Sequence, residues 1–193
     1  MEATACTRGR PRDPKIDDRI LETALDQLAA DGYAGMTIDG VARAAGVSKA
    51  TIYRRWTDKN DLVTAAITCS KAPDAEDLTG NTRERLVALL QATRERMIDG
   101  PGMIVQRQVL AEAGRNPELV ELHRERTIGP RIAILHKVLQ EGVEAGEVRP
   151  DLDLDLTCDL LVGSWMARWA RGEKFAPDWS RQVVATIWPA LSA

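Results

Sequence analysis

Much is missing from this chain of 193 residues. No run of eighteen apolar residues occurs, so no transmembrane helix is expected. The N-terminus is polar, carries Arg8, Arg10 and Arg12, and lacks the apolar stretch of a secretory signal. The three cysteines, Cys6, Cys69 and Cys158, are widely spaced and odd in number. They suggest neither a disulfide framework nor a metal knuckle and fit a reducing cytoplasm. A redox-sensing role for Cys158 stays open. Only two histidines occur, His123 and His136. Thirteen residues apart, they stand about 220° apart around one helix. They cannot converge on a metal unless Gly129-Pro130, between them, turns one of them. No phosphate-binding glycine loop and no G-x-S-x-G elbow is present. Asp151, Asp153 and Asp155 alternate without the glycine and terminal glutamate of a calcium loop, and read as an acidic helix start. These absences argue against an enzyme and leave no expected cofactor or metal. Strand-like alternation persists nowhere, so the chain reads as all-α.

The net charge of −3 does not by itself suggest a nucleic-acid partner, but its distribution does. Between Arg43 and Lys59, the basic residues Arg43, Lys49, Arg54, Arg55 and Lys59 oppose only Asp58. Arg8, Arg10, Arg12 and Lys15 stand against Asp13. The remainder is acidic. Such a chain presents one end to DNA and repels it elsewhere.

The basic segment lies in Thr37 to Lys59, TIDGVARAAGVSKATIYRRWTDK. Thr37 can cap a helix whose apolar face is Ile38, Val41, Ala42 and Ala45. Gly46 supplies a turn that a side chain would obstruct. Ser48 caps a second helix running to about Trp56, with Ile52 and Trp56 on its inner face. Lys49, Ala50, Tyr53 and Arg54 spread over the adjoining arc. This is a small basic surface on a helix thin enough for the DNA major groove.

The stretch T-I-D-G-V-A-R-A-A-G-V-S-K-A-T-I-Y-R-R-W, followed by K-N-D-L-V, resembles the DNA-binding motif of the TetR family of bacterial one-component transcription regulators. The resemblance covers roughly the first third of the chain; beyond it only the all-helical layout is similar. It implies a homodimer whose N-terminal domain binds operator double-stranded DNA, palindromic in form. It also implies a repressor released by a small-molecule effector. By position, Lys49, Ala50, Thr51, Tyr53 and Arg54 match the residues that meet bases and phosphates. Thr37, Ser48, Arg55 and Lys59 match those that hold the backbone. Trp56 is bulkier than the aromatic most often found there. Gly40, inside a helix, is a departure that permits close approach to DNA or to helix one.

The whole chain divides into a flexible basic arm at 1–14, a three-helix helix-turn-helix domain with its linking fourth helix at 15–70, and a ligand-binding and dimerisation domain at 71–193. About nine helices are expected. Helix one runs from Lys15 to Ala30 on a stripe of Ile16, Ile20, Ala24 and Leu28. Helix four, capped by Asp58, carries Leu62, Val63, Ala66 and Ile67 and links head to body. Helix five is striped by Leu86, Leu90, Thr93 and Met97. Helix seven starts at Asn116-Pro117, and Gly129-Pro130 should kink or break it. Helices eight, Leu154–Arg171, and nine, Pro177–Leu191, hold more apolar surface than one body readily covers. A dimer interface including Leu161 and Val184 is one reading, and plain monomer core is the other. An effector cavity is expected among helices five to eight, lined from Leu89, Met97, Met103, Leu110, Leu135, Trp165 and Trp169. The effector would be small and mostly apolar. The rival from another class is a ligand-independent architectural DNA binder, which would need no cavity.

Overall fold

The computed structural model describes residues 14–69 and 77–193. Arg8, Arg10, Arg12 and Cys6 of the expected arm, and residues 70–76, lie outside the described residues. Among the described residues the chain forms nine helices and no strand, with one isolated bridge joining Val148 and Ser192.

Helix α1, Pro14–Gly35, buries Ile20, Ala24 and Leu28 as its apolar period requires. At Gly32 the backbone takes φ 71° and ψ 174°, a kink inside α1 that a glycine accommodates. Helices α2, Ile38–Ala44, and α3, Lys49–Tyr53, are each started by a hydroxyl. Thr37 Oγ1 accepts from the Gly40 N–H at 3.0 Å, and Ser48 Oγ from the Thr51 N–H at 3.2 Å. Gly46 turns between them at φ 64°. Helix α3 is shorter than its pattern suggests, although the Trp56 N–H still donates to the Ile52 carbonyl at 3.0 Å. A Cβ at Gly40 would stand 3.0 Å from Gln27 Oε1, so this glycine admits helix α1.

Helix α4, Lys59–Thr68, is capped by Asp58 and buries Leu62, Val63, Ala66 and Ile67. Helix α5, Thr82–Arg94, opens on a reciprocal cap between Asn81 and Glu84. A π-helical turn, Glu95–Asp99, carries it on. Helix α6 is Gly102–Ala111. Helix α7 is continuous in three parts: Pro117–His123, a π-helical turn Arg124–Ile128, and Gly129–Glu144. The expected break at Gly129-Pro130 is therefore a local widening. Pro130 has no N–H for the carbonyl four residues back and would clash with it; one wider turn relieves both. That carbonyl, on Arg126, instead faces the Thr68 hydroxyl at 3.5 Å. Helices α8, Leu154–Ala170, and α9, Trp179–Leu191, complete the chain. Asp153 caps α8 by accepting from the Leu156 N–H at 3.0 Å.

The buried side chains do not separate at residue 70. The first apolar cluster joins α1 to α4 with Val105 and Val109 of α6 and Leu119 and Val120 of α7. The reading head is thus seated on the body through a shared core. A second cluster packs α5, α7, α8 and α9, and a third unites Met97, Trp165 and Trp179.

Leu161 and Val184, expected between two copies, are fully buried in the second cluster of a single chain. Helix α8 is apolar nearly all round, so its pattern does not say which side turns inward. Packing on α7 and α9 takes Leu161. Leu156 and Leu160, on the opposite arc, are 55% and 60% exposed.

Candidate nucleic-acid interface and ligand cavity

The inner face of the α2–α3 unit consists of Ile38, Val41, Ala42, Ala45, Ile52 and Trp56, all buried. Its outer surface follows by helical geometry. Thr37, Ser48, Lys49, Ala50, Tyr53 and Arg54 are exposed, and Thr51 is half-buried. Arg54 Nη2 donates to Thr51 Oγ1 at 3.2 Å. Lys49 Nζ pairs with Asp39 at 3.0 Å, and this hydrogen bond and charge raise the lysine pKa. Asp39 was not singled out from the sequence, because a contact ten residues away across a turn has no local signature.

Arg55 and Lys59 do not join that surface. Arg55 is paired with Asp17 of α1 and donates to the Thr51 carbonyl at 3.0 Å. Lys59 donates to the Tyr33 carbonyl, and its ammonium sits 4.1 Å from the centre of the Tyr33 ring. Both cations bind α1 to the motif, and burial lowers the Lys59 pKa. Beside them, Tyr33, Asn60, Asn116 and Glu118 form a hydrogen-bonded group joining α1, α4 and α7.

A cavity that opens to solvent lies between α5, α7 and α8. Leu89, Met97, Leu135 and Trp165 line it, together with Arg96, Gln106, Ile128, Arg131, Ile132 and Val162. Three residues expected there stand elsewhere. Leu110 is 48% exposed on α6. Met103 packs on the Met97–Trp165–Trp179 cluster. Trp169 is exposed and borders a shallow groove with Phe175. Trp169 stands one turn further along α8, about 6 Å beyond Trp165, and Met166 is the last residue of the helix to line the cavity. Arg96 and Arg131 escaped the sequence reading, which sought apolar residues alone; charges on otherwise apolar faces were the available signal.

His123 is buried; its Nε2 contacts Gln106 Oε1 at 3.0 Å. Burial, then the Arg131 charge, pushes its pKa down to about 4, so it is neutral at pH 7. It borders a second, adjoining space beneath α1 and α6. Cys158 is buried, and burial together with Asp155 and Asp159 pushes its thiol up to about 11. A thiol held protonated is a poor redox sensor.

A capped α2–turn–α3 unit with an exposed basic arc, seated on a helical body that encloses a cavity, defines a helix-turn-helix DNA-binding regulator. Residues 20–66 match the model for bacterial regulatory proteins of the tetR family, and residues 76–187 match a tetracyclin repressor-like C-terminal domain. An HTH-type transcriptional regulator of Mycobacterium tuberculosis is 35% identical over 159 residues, covering 80% of this chain and 78% of that protein. The DNA-binding transcriptional repressor TetR of Mycobacteroides abscessus is 30% identical over 143 residues, covering 73% of this chain and 75% of that protein. The solved structure of the regulator FadR from Bacillus subtilis, in complex with stearoyl-CoA, shares the fold. Its TM-score is 0.67 at 19% identity, covering 88% of this chain and 96% of that one. The chain belongs to the TetR family of transcription regulators. Members of the family are DNA-binding regulators, not enzymes; they bind operator DNA as homodimers and often take small-molecule effectors. Among the described residues no helix is long and apolar enough to cross a membrane.

Proposed function

We propose that this chain is a cytoplasmic homodimeric repressor that leaves a palindromic operator when an effector fills the cavity between α5, α7 and α8. Lys49, Ala50, Thr51, Tyr53 and Arg54 read the operator, while Thr37 and Ser48 hold its backbone. Residues 15–70 serve as the reading head and 71–193 as the sensing and dimerising body, with the arm 1–14 reaching adjacent phosphates. The second copy packs on the outer arc of α8, where Leu156, Leu160, Gly163 and Ala167 recur at helical spacing and are exposed. A Cβ added at Gly163 would meet nothing within 4 Å, which leaves room for a close helix.

The observation that carries this reading is the π-helical turn of α7. Ile128, at its end, lines the cavity. Thr127, one residue earlier, is hydrogen-bonded to Thr68 at the end of α4, and Arg126 pairs with Asp61 of α4 at 2.6 Å. Whatever displaces the turn from inside the cavity moves α4, and α4 carries the head. The two recognition helices of a dimer must sit about 34–36 Å apart to enter successive major grooves. A small tilt of each head removes simultaneous docking and the gain in effective concentration with it. A ligand-independent architectural protein would have no use for such a cavity.

The test is titration of a cavity ligand, found by thermal-shift screening, with and without operator DNA. Linkage requires DNA to weaken the ligand by the factor by which the ligand weakens DNA. Equal ligand affinities in both conditions would sink the switch.

A further inference from the structure

The apolar effector expected from the sequence leaves one end of the cavity without a purpose. Arg96, from the π-helical turn of α5, and Arg131, just after Pro130, both line it. Both also line the adjoining space beneath α6, so the two guanidinium groups stand where the spaces meet. Among the described residues, no carboxylate lines either space. Burial depresses the pKa of both arginines, and for Arg131 the neighbouring Arg96 adds to it, bringing it to about 10. His123 is neutral there and adds no charge.

Hydrogen bonding points the same way. Among the described residues, Arg96 Nε and Trp165 Nε1 are buried without a hydrogen-bond partner. Each of these atoms can only donate, and both side chains line the same cavity. A buried donor with no acceptor is destabilising, so two of them lining one cavity call for an acceptor brought from outside. The remaining wall is apolar, with Leu89, Leu135, Ile132 and Val162.

We infer that the cavity binds an amphipathic organic anion, its acidic head held by Arg96, Arg131 and the Trp165 indole N–H and its body lying on the apolar wall. The inference rests on reading this cavity as the effector site.

The experiment is calorimetric titration of the full chain, without DNA, with four ten-carbon probes: decanoate, decyl phosphate, 1-decanol and decylammonium. At least one of the two anions should bind about tenfold or more tightly than decanol, and decylammonium should bind more weakly still. Arg96→Met, which keeps the apolar stem and removes the charge, should remove that preference, read as the ratio of anion to decanol affinity. Trp165→Phe deletes the indole N–H and serves if Arg96→Met does not fold; it should lower the ratio of anion to decanol affinity several-fold. Neither anion exceeding decanol, or an anion preference that survives in the folded variants, overturns the inference. Because DNA is absent, this outcome is independent of the switch. A strong anion preference with no effect of operator would keep the ligand class and discard the repressor mechanism.

Discussion

Thr68 Oγ1 and Thr127 Oγ1 lie 2.8 Å apart, joining the last turn of the helix that carries the reading head to the π-helical turn of α7. Thr127 is buried, and the Thr68 hydroxyl also donates to the Thr64 carbonyl at 2.8 Å. Thr127→Val preserves shape and deletes this hydroxyl. The expected loss of stability is small, about 1 kcal/mol, because Thr68 keeps its second bond. The larger consequence falls on coupling: the ratio of operator affinities with and without a cavity ligand should move toward one. Fluorescence anisotropy on operator DNA with the best-binding ten-carbon probe reads it. An unchanged ratio would remove the π-helical turn from the route.

The basic surface divides into two kinds of cation, and mutation should separate them. Arg54→Ala should weaken operator binding by roughly 1–3 kcal/mol if it meets a base edge, with little change in melting temperature. Arg55→Ala should instead destabilise the fold by roughly 1–3 kcal/mol, because Asp17 loses its partner. Lys59→Ala should likewise lower the melting temperature. Calorimetry and operator titration on the same preparations check this. A stable Arg55→Ala protein would show the Asp17 pair to be dispensable.

The two leucines that follow one another on α8 should behave oppositely. Leu160→Asp places charge on an exposed site and should give a folded monomer in sedimentation, with intact helical circular dichroism. Leu161→Asp places charge in a fully buried one and should give unfolded or insoluble protein, since an unpaired buried charge is strongly unfavourable. A dimeric Leu160→Asp protein would move the interface away from this arc.

His123 supplies a pH dependence of known sign. Its folded pKa of about 4 lies below its ordinary 6.5. Between those values the unfolded chain takes up a proton that the folded chain refuses. Stability is therefore fully present above about pH 6.5 and falls as pH drops toward 4, by on the order of 3 kcal/mol at about 1.4 per unit. Urea denaturation of wild type and His123→Gln across this range isolates the term. Parallel curves would show that the imidazole is not the group responsible.

Glycine at position 46 is required by backbone angle and not by space. Its φ is 64°, and an added Cβ would meet nothing within 4 Å. Gly46→Ala should cost roughly 1–2 kcal/mol, and Gly46→Asn less, because asparagine tolerates this region. Thermal melts of the pair test the distinction.

What the sequence determined by itself is local. Thr37, Ser48, Asp58 and Asn116 were all legible as helix caps, and each accepts the backbone N–H expected of it. A cap, like an amphipathic stripe, is decided by residues within one or two turns, so α1 to α4 and the exposed arc of α3 could be read from spacing. Tertiary structure decided whatever depended on a distant neighbour. Arg55 and Lys59 look like free cations until α1 brings Asp17 and the Tyr33 carbonyl to them. On α8, Leu160 and Leu161 are equivalent by composition, and only packing against α7 and α9 turns one inward and the other out. The cavity belongs to the same class. Arg96 and Arg131 are thirty-five positions apart, and no periodicity relates them. They share a site because α5 packs against α7, so that both residues line the cavity beside that contact.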